Sequence, residues 1–285
     1  MLSTLRSVSP LVSVARMFSS ASELLRKEVL HDNQVVRIIL NAPKQRNALS
    51  LDMINALHKE LVEADSVDEF RAVILAADGP AFSSGHNLRE LRSSEGMEKH
   101  RLIFEKCANM VTYVQSMSLP VIAEVNGIAA AAGCQLVASC DIVVAGKSST
   151  FCTPGVKAGL FCHTPGIAVA RTVPRKVALD MLFTADSIDA ETALRAGLVS
   201  RVVDDSKVQE EALNVARKVA SLSRSVIALG KAFFYSQVEL PTLDAYRMGE
   251  RIMVENLRYV DAQEGIAAFI EKRKANWTHS DKKTN

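Results

Sequence analysis

Two short segments, Phe82-Ser-Ser-Gly-His-Asn-Leu88 and Asn126-Gly-Ile-Ala-Ala-Ala-Ala-Gly-Cys-Gln135, constrain this chain more than any other part of it. Each reads as a strand running into a Gly/Ala/Ser turn that opens a helix. Such a turn exposes main-chain N–H groups that have no intrahelical partner, at the helix end that carries partial positive charge. Two turns of this kind, facing each other, stabilise negative charge that develops on a substrate oxygen.

The remaining sequence allows such a site and excludes several others. A length of 285 residues is ample for a buried core, and 48% hydrophobic with 23% charged residues is ordinary for a globular protein. No apolar run approaches the eighteen residues that a membrane span needs. A formal net charge of +2 gives no reason to expect a nucleic-acid partner. Residues 1–18 carry Arg6, Arg16 and several serines but no acid, and read as a mitochondrial transit peptide directing the chain to the matrix. Its removal after Phe18 leaves 32 basic and 32 acidic residues. The five cysteines form no CxxC pair and no metal-ligand spacing, and in a reducing matrix they are expected as buried thiols.

The pattern of elements predicts an α/β fold. Residues 35–40, 72–76, 120–125, 141–145 and 199–203 read as short strands. Ser50 is placed to cap a helix through about residue 65, with Leu51, Ile54, Leu57, Leu61 and Val62 on its apolar face. Charged residues 95–117 form the next helix, and the second motif is expected to open a small-residue helix over 129–139. Beyond residue 204 the pattern is almost wholly helical, over about 207–222, 225–238, 242–258 and 261–274. A boundary near 204 therefore divides a strand–helix core (30–204) from a helical part (205–277), and a polar tail (278–285) follows.

With these two motifs, and with similarity extending over roughly residues 30–277, the chain resembles the crotonase (enoyl-CoA hydratase/isomerase) superfamily. That resemblance implies a crotonase-like spiral of ββα units with a C-terminal helical subdomain that forms a homotrimer or a dimer of trimers. It implies an acyl-CoA thioester as ligand, coenzyme A being part of that ligand rather than a separate cofactor, and no metal. It places the main-chain N–H groups of Ser84 and Ala132 on the thioester carbonyl, and Gly85, His86, Asn87 and Gln135 along the ligand. An alanine at 132 in place of the commoner glycine costs little if its φ is negative. Asn87 stands for the usual aspartate and is expected to weaken a local cap. Lys272 and Lys274 match a family tail near the nucleotide, where cations suit phosphates.

The resemblance also exposes a gap. Hydratases of this family use two glutamates on one water; the matching positions here are Gln135 and Gly155. An amide hydrogen-bonds a water but cannot take its proton, and glycine supplies nothing. Each positioned acid or base is worth about 10²–10⁴ in rate, and two acting on one water do not simply multiply. Ordinary hydratase turnover is expected to be weak or absent, and restoring Glu at 135 and 155 is expected to return it. His163 is the leading candidate for a replacement base, since imidazole titrates nearest neutral pH. His86 comes second, Glu124 lower, and Asp141 matches a packing position.

Three functions fit: binding or sequestering acyl-CoA in lipid metabolism, different acyl-CoA chemistry (isomerase, hydrolase or decarboxylase) through His163, or slow hydration through Gln135. The first is preferred. The helix face over 98–111 mixes Lys99, Arg101 and Lys106 with Glu98 and Glu105 and reads as solvated rather than RNA-binding.

Overall fold

Short β-branched runs alternate with amphipathic stretches until residue 203, and the computed structural model converts each into a strand or a helix. It describes residues 16–17, as backbone, and 24–284. Apart from Arg16–Met17, the targeting segment expected over 1–18 lies outside the described residues. The chain opens with β1 (Arg16–Met17), β2 (Leu25–Leu30), β3 (Val35–Leu40) and α1 (Leu51–Asp65). The first motif is reached through β4 (Ala72–Ala77) and β5 (Ala81–Ser83), and is followed by α2 (Met97–Ser116). The second lies between β6 (Val121–Val125), β7 (Ile128–Ala130) and α3 (Ala132–Ser139). Next come β8 (Ile142–Gly146), β9 (Thr150–Cys152), α4 (His163–Thr172), α5 (Arg175–Thr184), β10 (Ile188–Asp189), α6 (Ala190–Ala196) and β11 (Arg201–Val203). Four helices finish the chain: α7 (Val208–Ala220), α8 (Arg224–Gln237), α9 (Thr242–Leu257) and α10 (Val260–Glu271).

Among the described residues, two sheets carry the strands. The larger runs β1-β2-β3-β4-β6-β8-β11, antiparallel over its first three strands and parallel thereafter. Its inner strands β3 and β6 are buried along their whole length, as expected of parallel strands covered on both faces. One face packs against α1, α2 and α3 through Leu57, Met110 and Leu136 among others. The other receives α7, whose Val208, Ala212, Val215 and Ala216 sit on Val35, Ala72, Ile74, Ile122 and Val144. By packing, α7 thus belongs with the sheet; its apolar stripe falls on the far side of the expected boundary at 204.

Local expectations met two differences. Ser50 does cap α1, its Oγ accepting from Met53 N at 3.2 Å. The buried stripe, however, is Met53, Ile54, Leu57, Leu61 and Ala64. Val62 is 43% exposed, because it lies one residue off that stripe. The helix expected from residue 129 starts at Ala132, since 128–130 are captured as strand β7 between β5 and β9.

The smaller sheet, β10-β9-β7-β5, positions the site. Strands β5 and β7 are parallel neighbours, with Ala81 opposite Ile128 and Ser83 opposite Ala129. Both motifs therefore leave the same edge in the same direction, side by side. In α/β sheets that carboxyl edge is where ligands bind.

Candidate active site

Each turn is forced by its local chemistry. In the first, Gly85 has φ +87°, and a Cβ there would stand 2.8 Å from Ala131 Cβ and 2.9 Å from Ala130 O. Only glycine satisfies both the dihedral and the space. Its N–H is held by Ser83 Oγ at 3.2 Å, and the Ser83 hydroxyl itself donates to Asn47 O at 2.8 Å. Asn87 retains a cap, its side chain accepting from Arg89 N at 3.2 Å, so the exchange from aspartate leaves this contact in place. In the second turn Ala131 donates to Cys152 O at 2.9 Å and adopts φ +49°, ψ −118°. The left-handed φ therefore falls on Ala131, a position the sequence reading passed over, while Ala132 begins the helix with an ordinary φ.

The hydrogen bonds correct one assignment. Ser84 lines the site, but its main-chain N–H is already given to Arg46 O at 3.0 Å. It is not available to a ligand. The main-chain N–H groups of His86 and Ala132, one from each turn, line the site and meet no acceptor among the described residues. The two turns abut there: a Cβ on Gly85 would lie 3.1 Å from Ala132 N.

These N–H groups open on a cavity of about 570 Å³. Its walls are Ser84, His86, Ala131 and Ala132 from the two turns, Phe104 from α2, and Pro154, Gly155 and Leu160 to Pro165 from the β9–α4 connection. No Asp, Glu, Lys or Arg lines it, so its titratable side chains are His86, Cys162 and His163. His86 Nδ1 lies 3.3 Å from Leu49 O, which makes Nδ1 the protonated nitrogen. Its ring meets Phe104 edge-on at 5.1 Å, and Nε2 is buried without a partner. Burial holds the His86 pKa below its usual value, although the Leu49 carbonyl pulls the other way. At neutral pH the ring is uncharged. Burial likewise pushes the Cys162 thiol up, against the N–H that Gly155 donates to its Sγ at 3.2 Å. His163 is the first residue of α4, exposed at the cavity mouth with its ring edge-on to Phe161 at 5.0 Å.

The other expected residues are distributed differently. Gln135 is 4% exposed, does not reach the cavity wall, and leaves Oε1 without a partner. Gly155 does line the cavity, but a Cβ there would meet Leu160 O at 2.4 Å and Cys162 Sγ at 2.7 Å. A glutamate at 155 does not fit this loop as it stands, so restored hydratase turnover is expected only if the loop opens. Glu124 is paired with Arg37, Oε1 at 2.6 Å from Nη2, and points away from any ligand role. Asp141 accepts from Lys231, Tyr235 and Val121 N, a structural task. Lys272 closes α10 in a left-handed conformation, and neither it nor Lys274 lines the cavity. Among the described residues no cluster fits a metal ion, and no helix is long and apolar enough to cross a membrane.

Comparison with known proteins gives this geometry its context. The family model described as enoyl-CoA hydratase/isomerase matches residues 31–280. Enoyl-CoA hydratase domain-containing protein 3, mitochondrial, from Xenopus laevis is 50% identical over 95% of this chain and 93% of its own length. The human protein of that name is 51% identical over 85% of this chain and 80% of its own. The crystal structure of the human protein superposes with a TM-score of 0.87, at 48% identity, covering 89% of this chain and all of the other. A crystal structure of an enoyl-CoA hydratase from Mycobacterium smegmatis gives 0.87 at 40% identity, covering 90% and 99%. The names of the vertebrate relatives bear out the expected mitochondrial location. The chain belongs to the enoyl-CoA hydratase/isomerase, or crotonase, family.

Proposed function

We propose that this protein binds acyl-CoA thioesters in the mitochondrial matrix, in the service of lipid metabolism, with ordinary hydratase turnover weak or absent. The observation that carries this reading is the pair of unpaired N–H groups, His86 and Ala132, on a cavity without a carboxylate. Two donors of this kind suit a thioester oxygen, whose charge grows in any reaction at the carbonyl or its α-carbon. The apolar remainder of the cavity suits an acyl chain. Oligomerisation through the last helices is supported by their exposed apolar side chains, Tyr246 at 71%, Ile270 at 71% and Phe269 at 85%. His163 at the mouth favours a second reading, acyl-CoA chemistry of another kind.

The test compares octanoyl-CoA with its thioether analogue S-octyl-CoA by calorimetry. The analogue lacks the carbonyl, so two hydrogen bonds disappear while the chain and nucleotide stay. At roughly 0.5–1.5 kcal/mol for each bond, affinity should fall about 5- to 150-fold. Equal affinity would remove the oxyanion pair, and binding of neither would remove the reading altogether. Mass spectrometry after incubation with 2-octenoyl-CoA then checks for hydration.

A further inference from the structure

Cys162 is the one thiol in the cavity wall among the described residues. Its Sγ accepts the Gly155 N–H at 3.2 Å, which fixes the thiol beside that wall. It also occupies space that any side chain at 155 would need, 2.7 Å from where a Cβ would stand. The same cavity holds the unpaired N–H groups of His86 and Ala132, the imidazole of His163 next in sequence, and the buried, unpartnered Nε2 of His86. A thiol, a neighbouring imidazole and two donors for a developing oxyanion are the components of acyl transfer.

We propose that Cys162 is an acyl-accepting nucleophile that forms a covalent thioester with the acyl group of a bound acyl-CoA. The inference rests on the acyl-CoA reading above. The Sγ–H proton passes to the imidazole of His163, and Sγ bonds to the thioester carbonyl carbon. The carbonyl π pair moves onto oxygen, held by the His86 and Ala132 N–H groups. Collapse of that intermediate breaks the bond to the CoA sulfur, and the CoA thiolate recovers the proton from His163. The products are acyl-Cys162 and free CoA, one thioester exchanged for another with no oxidant or reductant. Burial keeps the resting thiol protonated, so the step requires a base and does not proceed from a free thiolate.

Full-length protein is incubated with octanoyl-CoA, and its intact mass is read after acid quenching while calorimetry follows binding on the same preparation. The expected result is a gain of one octanoyl group on the wild type, released by neutral hydroxylamine and mapped to the Cys162 peptide. The gain should vanish in Cys162→Ala, or in the near-isosteric Cys162→Ser where the alanine variant does not fold. It should persist in Cys107→Ala, a thiol buried in the core away from the cavity. His163→Phe should slow acylation about 10²-fold or more, the worth of one positioned base. Binding of octanoyl-CoA without any mass gain overturns the inference. So does a gain that survives loss of the Cys162 thiol. Absence of binding to the wild type overturns the acyl-CoA reading itself and takes this inference with it.

Discussion

Gly155 N and Cys162 Sγ lie 3.2 Å apart, and this contact closes the loop between β9 and α4. The loop is packed against the glycine itself: Leu160 O lies 2.4 Å from where a Cβ would be built. A main-chain carbonyl cannot swing aside as a side chain can.

The double variant Gln135→Glu, Gly155→Glu should therefore gain no enoyl-CoA hydration, followed as loss of the absorbance of the 2-enoyl thioester. It should also lose stability, by about 1–3 kcal/mol for overpacking, read from urea unfolding. Hydration with unchanged stability would show that the loop opens freely and that the site is a hydratase lacking only its acids.

A second prediction concerns Ala131. A non-glycine residue at φ +49°, ψ −118° stores about 1–3 kcal/mol of backbone strain. Glycine removes it but adds about 0.5–1 kcal/mol of unfolded-state freedom. Ala131→Gly should raise stability by about 1 kcal/mol, seen as a higher urea midpoint at unchanged slope. A loss of stability would show that the turn holds alanine without strain.

Much of this was legible in the sequence, and the exceptions have a common cause. Periodicity and β-branched runs placed β3, β4, β6, β8, β11, α1, α2 and the last four helices because each pattern is local, while β2, β9, β10 and the helices α4 to α6 were not named. The capping role of Ser50 was legible for the same reason. The family resemblance placed the turns at the right segments, yet put the first donor on Ser84. Only the partner, Arg46 O, shows that this N–H is spent, and Arg46 lies 38 residues away in the chain. Val62 was misplaced by a single helical step, which a stripe of mixed Leu, Val and Ala does not resolve. The crowding at Gly155 was invisible for a similar reason: Leu160 and Cys162 come near in sequence but press on the glycine only once the loop is closed.

His86 makes folding sensitive to acid. Burial holds its folded pKa below the unfolded value of about 6.5, so between the two the unfolded chain binds more protons. Stability contributed by the neutral ring is complete above pH about 6.5 and is lost as pH falls toward the folded pKa. Urea unfolding of the wild type should therefore weaken between pH 7.5 and 5 by more than that of His86→Phe. Parallel losses in the two proteins would show that the imidazole is solvated in the native state.

The last prediction concerns what ties the helical end to the sheet. Lys231 on α8 is 8% exposed and has all three donors engaged, by Val114 O at 2.8 Å, Leu119 O at 2.8 Å and Asp141 Oδ2 at 2.7 Å. Asp141, at the start of β8, also receives Val121 N at 2.7 Å and the Tyr235 hydroxyl at 2.9 Å. Replacing Lys231 with Met leaves a carboxylate and two carbonyls short of a donor, in a region from which water is excluded. The cost of breaking a buried pair on one side is about 3–5 kcal/mol. Lys231→Met should show that loss in urea unfolding, and Lys231→Met with Asp141→Asn should recover part of it, because the uncompensated charge is then gone. Additive losses in the double variant would mean that the two side chains act separately, and that α8 is held to the sheet by its apolar contacts alone.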